Sequence, residues 1–182
     1  LITGGTGSFG KSMVDFIIKN YRPKKIHIYS RDEQKHFEMQ KNYPENKFNV
    51  RYLIGDIRDK ERLLFATKDV DIVIHAAAMK HVSLGEYNPF EVVKTNILGS
   101  QNVIDACISN EVSKVIALST DKASSPINLY GASKLTSDKL FINANNYLGK
   151  LNTIFSVVRY GNVMGSKGSI IPILLNQFKN NK

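Results

Sequence analysis

The sequence has one cysteine, no tryptophan and no apolar run that approaches the roughly 20 residues of a membrane-spanning helix. A membrane protein is therefore not expected. The single Cys107 cannot form a disulfide within the chain, which fits a reducing compartment, and we interpret it as a small core residue. The chain also opens without the basic and apolar regions of a secretory signal. These absences predict a cytoplasmic protein.

Acidic residues are also scarce: 16 Asp and Glu stand against 25 Lys and Arg, which gives a net charge of +9. Such an excess of positive charge can bind nucleic acids, anionic membranes or small phosphorylated ligands. The basic residues form no stripe and are not interleaved with aromatic residues, so nucleic-acid binding is not expected. A composition rich in Lys and Asn is the simpler explanation of the charge. No His or Cys pair has the spacing of metal ligands, so we expect no metal site.

Short apolar runs alternate with helical patterns along the 182 residues. After a first strand that ends at Thr3, the predicted strands are Ile26–Tyr29, Val50–Ile54, Asp71–Ala76, Val115–Ser119 and Phe155–Tyr160. The predicted helices are Lys11–Asn20, Glu33–Lys41, Lys60–Thr67, Glu91–Ser109 and Tyr130–Tyr147, with a polar turn over Asn42–Asn49. The strand runs are β-branched and lack period-two alternation, as in parallel strands covered on both faces.

This alternation predicts an α/β fold, a doubly wound parallel sheet of the Rossmann type, as one domain over residues 1–182. The apolar run Leu1–Thr3 is too short to be a whole first strand. We therefore expect the natural chain to begin a few residues earlier.

A glycine-rich segment, Thr3–Gly10, leads from the first strand into the first helix and reads TGGTGSFG. Glycines spaced at three permit a tight turn, close approach of the backbone to a pyrophosphate and tight packing of the helix on the sheet. The N-terminus of the helix offers free N–H groups to the phosphates. In this strand–turn–helix context the segment predicts a dinucleotide site. Its predicted contacts are Gly4, Thr6, Gly7, Ser8, Phe9 and Gly10.

The second strand ends in Tyr29-Ser30-Arg31-Asp32, where NAD enzymes usually place an acidic residue for the ribose 2′-hydroxyl. Ser30 and Arg31 match a 2′-phosphate instead, because a hydroxyl and a guanidinium bind it and a carboxylate repels it. Asp32 could turn inward as the acidic residue, but we favour it as the N-cap of the next helix. We therefore predict NADP as the cofactor, with Ser30, Arg31, Asp32 and Lys35 among its contacts.

Two further strand ends carry candidate cofactor contacts. Gly55-Asp56-Ile57 closes the third strand, where the carboxylate could accept from the adenine amino group and the isoleucine could cover the ring. The alternative is an acidic turn residue. His75-Ala76-Ala77-Ala78 closes the fourth strand, and its small residues leave room for backbone to approach the cofactor. The predicted contacts are Asp56, Ile57, Ala76 and Ala77, and we interpret His75 as a packed core histidine.

Tyr130 and Lys134 are four residues apart at the start of a predicted helix, so both side chains project from one face. A phenol with an ordinary pKa of about 10 is a poor base at neutral pH, and a nearby ammonium would lower that pKa. Together they could take a proton from an alcohol while hydride leaves for a nicotinamide. Downstream of a nucleotide loop, this pair predicts a site of alcohol oxidation.

These motifs together resemble the extended short-chain dehydrogenases, which combine Thr-Gly-x-x-Gly-x-x-Gly with a segment like Tyr130–Lys134. More narrowly, the chain resembles the inverting UDP-N-acetylglucosamine 4,6-dehydratases that open the pseudaminic acid pathway. The segments that carry the narrower resemblance are Ser30–Glu33, Gly55–Asp59, His75–Val82, Lys94–Asn96, Ser119–Ala123 and Arg159–Val163. They extend over essentially the whole chain, and the Ser-Thr-Asp-Lys-Ala run is the most specific of them.

The resemblance implies a reaction cycle that leaves the cofactor unchanged. Tyr130, with Lys134 and Thr120, deprotonates the sugar 4-hydroxyl as hydride passes from C4 to NADP⁺. Lys122 removes the proton from C5 and Asp121 protonates the departing 6-hydroxyl. Hydride then returns to C6, and protonation of C5 from the opposite face inverts that centre. The place of residues 120–122 at the carboxyl end of a strand agrees with this cycle, and a solvated turn pair is the alternative.

The resemblance also implies substrate contacts and an assembly. Lys80 would touch cofactor and substrate, and Asn162 would meet the diphosphate of UDP-N-acetylglucosamine or a related UDP-sugar. A surface lysine and a turn asparagine are the alternatives. Val82–Gly85 departs from the family, which usually has Pro after Val, so we expect a looser loop there. A homo-oligomer is expected through the helices at 91–109 and 130–147, with the substrate lobe absent or only begun after about residue 165.

Two other functions fit parts of the same pattern. A UDP-sugar 4-epimerase of this fold needs the Tyr–Lys pair but no acid–base pair at positions 121 and 122. A non-catalytic NADP sensor or scaffold has no need of Tyr130 and Lys134 together. The acid–base pair therefore favours a dehydratase, and the resemblance implies that it acts in a nonulosonic acid or surface polysaccharide pathway.

Overall fold

The computed structural model describes residues 1–163, which form a sheet of six parallel strands with helices packed on it. The strands are β1 (Ile2–Thr3), β2 (Ile26–Ser30), β3 (Val50–Ile54), β4 (Ile72–His75), β5 (Lys114–Thr120) and β6 (Ile154–Tyr160). Their order in the sheet is β3-β2-β1-β4-β5-β6, so the chain builds outward on one side of β1 and then on the other. Sheets of this kind bind ligands outside the carboxyl ends of the strands, at this reversal.

Helices connect the strands, because parallel strands need a crossover rather than a tight hairpin. They are α1 (Ser8–Asn20), α2 (Glu33–Asn42), α3 (Glu45–Phe48), α4 (Lys60–Ala66), α5 (Val82–Tyr87), α6 (Pro89–Val92), α7 (Gly99–Ser109) and α8 (Leu129–Ala144). A π-helical segment, Val93–Leu98, joins α6 to α7, and a 3₁₀ turn, Asp121–Ala123, follows β5.

Buried apolar side chains form two clusters against the sheet. One contains Val14 and Met39, and the other contains Cys107, Phe141 and Val115. Cys107 is fully buried, and its burial raises the pKa of the thiol to about 12. Its predicted place as a core residue is therefore confirmed.

The predicted doubly wound parallel sheet is confirmed, and the five strands whose bounds were predicted agree with the structure within one residue at each end. None of the helices within residues 1–163 is both long enough and apolar enough to cross a bilayer. The predicted start of a substrate lobe after about residue 165 lies outside the described residues.

Two predictions of irregular structure were wrong. The polar turn at 42–49 contains the short helix α3, whose first turn closes as the Pro44 carbonyl accepts from the N–H groups of Lys47 and Phe48. The segment at 82–85 is not a loose loop, because it belongs to α5. There the Gly85 N–H donates to the His81 carbonyl at 2.9 Å, and Gly85 is buried beside the Val92 side chain.

The predicted long helix over 91–109 is also not regular, since its first part is the π-helical segment. Asn96 in that segment is buried and bonds both backbone groups of Met79, accepting from its N–H at 2.8 Å and donating to its carbonyl at 2.9 Å. The irregular segment therefore fixes the chain that follows β4.

Candidate active site

The glycine-rich loop is pressed against the ends of β2 and β4. Gly4 has a φ of +65°, and its N–H donates to the Tyr29 carbonyl at 2.8 Å. A Cβ at Gly4 would lie 2.9 Å from the Ala77 nitrogen, so a side chain there would collide with backbone. The N–H groups of Ala76 and Ala77 reach the Thr3 hydroxyl at 3.2 and 3.3 Å. The structure thus brings Gly4, Ala76 and Ala77 together, and their contacts with a cofactor stay predictions.

Helix α1 begins directly at this loop with an open N-terminus. Gly7 is its N-cap, no side chain caps it and its first turn has no acidic residue. A Cβ at Gly10 would lie 2.2 Å from the Gly5 carbonyl oxygen, so only glycine allows the helix to sit so close to the loop. Ser8 and Phe9 are the first residues of the helix. Uncapped N–H groups and the helix dipole make this end suited to a phosphate.

The end of β2 presents Ser30 and an exposed Arg31, as predicted. Asp32 is the N-cap of α2, where its carboxylate accepts from the Lys35 N–H at 3.0 Å and forms an ion pair with the Lys35 ammonium. These contacts, led by the Lys35 side chain, lower the pKa of Asp32. The N-cap interpretation of Asp32 is therefore confirmed.

Asp56, after β3, is held by two arginines. Arg58 approaches its Oδ2 at 2.7 Å and Arg31 at 3.4 Å. Burial works against the charge of Asp56, but these contacts outweigh it and lower the pKa of the carboxyl group. Ile57 is 3% exposed and packs against Gly99 in the core. Asp56 thus has the contacts of the alternative, a turn carboxylate, and the adenine contacts of Asp56 and Ile57 stay predictions.

Arg58 was missed as an individual residue by the sequence analysis, although it lies within a quoted motif. Besides Asp56, it pairs with Glu91 at 2.7 Å, and Lys94 pairs with the other oxygen of Glu91 at 2.9 Å. This chain of charges links the end of β3 to the segment before α7. In the sequence, the only indication of this role was the place of Arg58 two residues after Asp56.

Lys134 is buried, four residues after Tyr130 on the first turns of α8. Its ammonium donates to the Leu118 carbonyl of β5 at 2.6 Å, and its burial lowers its pKa to about 8. Burial also raises the pKa of Tyr130, although the Thr120 hydroxyl acts in the opposite direction. The expected lowering of the phenol pKa by Lys134 is thus wrong for the described chain, because burial dominates and the ammonium is engaged with β5.

The predicted acid–base residues meet at the carboxyl end of β5. The Asp121 carboxylate accepts from the Thr120 hydroxyl at 2.9 Å and from the Lys122 ammonium at 3.1 Å. The same ammonium donates to the Asn162 side-chain oxygen at 3.2 Å, so the structure joins Asn162 to this group. The Lys122 contact, followed by that of Thr120, lowers the pKa of Asp121. In the chain without ligand, Asp121 is therefore a carboxylate at neutral pH.

The turn that carries Asp121 and Lys122 packs onto the start of α8. A Cβ at Gly131 would lie 2.5 Å from the Lys122 carbonyl oxygen, so glycine is required for this approach. Asn128 caps α8 by accepting from the Gly131 N–H at 2.9 Å, and Glu86 of α5 accepts from the Leu129 N–H at 2.7 Å. These contacts hold the turn and Tyr130 as neighbours.

Two further predicted positions lie at the end of β4 and after it. His75 is buried, contacts the Thr3 hydroxyl at 2.8 Å, and has its pKa lowered to about 3 by burial, with a smaller effect of Lys134. The core role of His75 is therefore confirmed. Lys80 is exposed in the segment between β4 and α5, and its predicted contacts stay predictions. Within residues 1–163 no three His, Cys, Asp or Glu residues are grouped as metal ligands.

Comparison with known proteins identifies the family of the chain. A family model described as polysaccharide biosynthesis protein matches residues 1–182. The chain belongs to this family. It is 64% identical over 172 residues to a protein of Campylobacter jejuni subsp. jejuni serotype O:23/36 (strain 81-176) named UDP-N-acetylglucosamine 4,6-dehydratase (inverting), in an alignment that covers 94% of the chain and 51% of the relative. The resemblance found in the motifs is thus confirmed.

Other members carry a different name. A Rickettsia bellii protein (strain OSU 85-389) named UDP-glucose 4-epimerase is 48% identical over 185 residues, covering 100% of the chain and 54% of the relative. Among solved structures, Pen from Bacillus thuringiensis superposes with a TM-score of 0.93 at 49% identity, covering 99% of the chain and 55% of that structure. A dTDP-glucose 4,6-dehydratase from Streptomyces venezuelae has a TM-score of 0.81 at 22% identity, over 99% of the chain and 62% of that structure, and shares the fold. The chain spans about half the length of the curated relatives it matches.

Proposed function

We propose that the chain is the NADP-binding part of a UDP-N-acetylglucosamine 4,6-dehydratase. The observation that carries the proposal is the group Thr120, Asp121, Lys122 and Asn162, hydrogen-bonded at the end of β5 beside the Tyr130–Lys134 pair. Alcohol oxidation alone needs only a tyrosine and a lysine. An additional carboxyl and amine are what the removal of water requires, since one proton must leave carbon and another must reach the leaving hydroxyl.

The residues at the reversal of the sheet fit a nicotinamide dinucleotide. The loop at 4–10 is so close to β4 and to α1 that side chains at Gly4 and Gly10 would collide with backbone, while the α1 N–H groups are left uncapped. Arg31 and Ser30 favour the 2′-phosphate of NADP, because Asp32 is engaged as an N-cap. A bound nicotinamide supplies a reversible hydride acceptor at this place.

Tyr130 is the proposed base for the sugar 4-hydroxyl. Its pKa must fall on binding, because burial raises it in the described chain. Lys134 can provide this by its positive charge only when it is protonated, and its pKa of about 8 allows that at neutral pH. Thr120 reaches both sides of the site, since its hydroxyl acts on Tyr130 and donates to Asp121. The positions of these three residues support the first step.

Asp121 and Lys122 are the proposed acid and base of the elimination. Their ion pair, at 3.1 Å, must open so that Lys122 can lose its proton and Asp121 can gain one. Transfer of the proton from the ammonium to the carboxylate gives both forms at once, and a substrate that excludes water from this exposed pair favours the neutral forms. Asn162, bonded to Lys122, and Lys80 are proposed to hold the anionic sugar nucleotide.

A UDP-sugar 4-epimerase is the second candidate, and the 48% identity to a Rickettsia bellii protein of that name favours it. The C4 chemistry would be the same in both enzymes. We prefer the dehydratase because the identity to the Campylobacter jejuni relative is higher, at 64%, and because an epimerase gives Asp121 and Lys122 no task. A cytoplasmic location and a homo-oligomer complete the proposal.

The test uses the full-length protein with UDP-N-acetylglucosamine in D₂O, and the product is followed by NMR. The expected product carries a new methyl group at C6 and deuterium at C5, with C5 inverted. A product that keeps its 6-hydroxyl and changes only at C4 would establish the epimerase instead.

The Lys122→Ala variant tests the assignment of the base within the same experiment. We expect it to lose the elimination by about 10²- to 10⁴-fold, the usual contribution of a positioned acid or base. Water loss at the wild-type rate in this variant would remove Lys122 from the mechanism. Lys139→Ala, on the exposed surface of α8, is the control and should react like wild type.

A further inference from the structure

A buried histidine stands behind the proposed cofactor site, outside every motif discussed above. His36 lies in α2 and is 3% exposed. Its Nε2 is 3.0 Å from the Ser30 hydroxyl and 3.2 Å from the Ser30 carbonyl oxygen. The Ser30 hydroxyl in turn lies 2.8 Å from the hydroxyl of Thr6, in the glycine-rich loop. Three side chains thus form a row from the interior to the loop.

The direction of the hydrogen bonds in this row follows from the acceptor at its inner end. A carbonyl oxygen can only accept, so the contact with the Ser30 carbonyl places the hydrogen on Nε2 of His36. Nδ1 of His36 is buried without a hydrogen-bond partner among the described residues. A neutral ring with a free acceptor nitrogen fits this better than a charged ring with a buried, unpaired N–H. Burial also lowers the pKa of His36, which agrees with the neutral form.

Because Nε2 of His36 carries a hydrogen, it cannot accept one from the Ser30 hydroxyl. The hydrogen of that hydroxyl therefore points to another acceptor. The Ser30 and Thr6 hydroxyls lie 2.8 Å apart, and either can donate to the other, so the pair uses one of its two hydrogens internally and keeps one to donate outward. Thr6 is 4% exposed and lies between Gly5 and Gly7 of the loop, so its hydroxyl has little water to bond. The row therefore ends in a hydroxyl donor at the place proposed for the dinucleotide phosphates.

We propose that His36 is a positioning residue that orients the Ser30–Thr6 hydroxyl pair as a hydrogen-bond donor to a phosphate oxygen of the dinucleotide. The proposal rests on the proposed function, because it needs a dinucleotide at the loop. His36 itself touches no ligand. It acts by occupying an acceptor position of Ser30, so that the pair keeps one hydrogen directed to the phosphate. Bonds from neutral donors to charged acceptors are stronger than neutral pairs, which makes this orientation matter for affinity.

The test compares His36→Phe with His36→Gln in the full-length protein. Phenylalanine keeps a ring beside Tyr52, whose ring packs edge-on against His36 with centroids 5.7 Å apart, but it has no donor. Glutamine restores an N–H donor. We expect His36→Phe to weaken binding of NADPH about three- to tenfold by fluorescence titration, and His36→Gln to recover most of it. His27→Phe, which replaces a half-buried histidine of β2, should bind like wild type.

Titration with NADH shows which phosphate is contacted. If His36→Phe loses affinity equally for NADH and NADPH, the donor contacts the bridging diphosphate. If it loses affinity for NADPH alone, the donor contacts the 2′-phosphate. Unchanged affinity in folded His36→Phe, or equal weakness of His36→Gln, overturns the proposal. ¹⁵N NMR of the wild-type imidazole without ligand is a second readout, and a proton on Nδ1 would also overturn it. If wild type binds neither dinucleotide, the proposed function falls as well.

Discussion

Lys134 brings an amine into the interior at the start of α8, with 4% of its surface exposed. Lysine is rarely buried so fully, because its charged form loses the hydration of bulk water. Its ammonium donates to the Leu118 carbonyl, and Asp138 one turn later favours the charge, yet burial still lowers the pKa to about 8. The amine is therefore mostly charged at neutral pH and half charged near pH 8.

This pKa predicts how the stability of the fold depends on pH. In the unfolded chain Lys134 has its ordinary pKa of 10.5, whereas in the folded chain its pKa is about 8. Between these values the unfolded state binds more protons, so the free energy of unfolding rises with pH. Relative to Lys134→Met, wild type should gain up to roughly 3 kcal/mol from pH 8 to 10.5, measured by urea denaturation.

The difference between wild type and Lys134→Met removes the contributions of other titrating groups, which both proteins share. Lys139→Met, at an exposed position of the same helix, is the matched control and should show no comparable rise. A difference that stays flat across this pH range would mean that Lys134 is not buried as its amine in the folded protein.

At the scale of elements, the sequence predicts the strands and helices that have a clear residue pattern, and it misses the short helices. β-branched runs such as Val50–Ile54 identify the strands, and the glycine spacing identifies the loop before α1. Helices α3 and α5 have four and six residues, too few to show a helical period. They form because neighbouring contacts close them, as when Gly85 fits beneath Val92. Local pattern carries no information about such contacts.

The same limit applies to the site. Catalytic roles for the residues at positions 120–122, 130 and 134 were predicted from motifs and from the family resemblance, and the structure places these residues at the end of β5 and the start of α8. Their protonation was not predictable, because the pKa values depend on burial and on partners far away in sequence. The pKa of Lys134, which burial lowers to about 8, is such a case. The spacing of residues in the sequence predicts which side chains lie close together, whereas their packing in the fold decides which of them are charged.

The junction between the 121–123 turn and α8 provides a test at this scale. Gly131→Ala would place a methyl group 2.5 Å from the Lys122 carbonyl oxygen, and backbone cannot give way as a flexible side chain can. We expect a loss of about 1–3 kcal/mol in the free energy of unfolding, measured by denaturant titration. We also expect at least a tenfold loss of dehydratase activity, because displacement of the turn separates Lys122 from Tyr130.

Gly85→Ala is the control for this substitution. It is also a helical glycine, but its methyl group would meet the Val92 side chain, at 3.2 Å, and not the backbone of another segment. Alanine improves helix propensity at such a site, so a change within about 1 kcal/mol is expected. If Gly131→Ala behaves like Gly85→Ala in stability and activity, the packing of the turn on α8 does not position the acid–base pair.

At the scale of the whole molecule, apolar side chains remain exposed on the two helical regions proposed for self-association. Leu98 of the π-helical segment is 50% exposed and Ile142 of α8 is 52% exposed, while α7 and α8 pack side by side. Full burial of a leucine or isoleucine side chain contributes about 1.5–3 kcal/mol. A twofold interface would bury each side chain twice, so a few such residues provide much of the affinity.

Leu98→Glu therefore tests the assembly. A twofold interface would contain this glutamate twice, and each carboxylate would lose its hydration without gaining a partner. We therefore expect the dimer dissociation constant to rise on the order of 100-fold. Sedimentation equilibrium of the full-length protein measures this directly. Phe16→Glu changes an equally exposed side chain, also 50% accessible, on α1, outside both regions, and should keep the wild-type mass. A Leu98→Glu protein with the mass and dissociation constant of wild type would exclude this face, and a monomeric wild type would exclude the homo-oligomer itself.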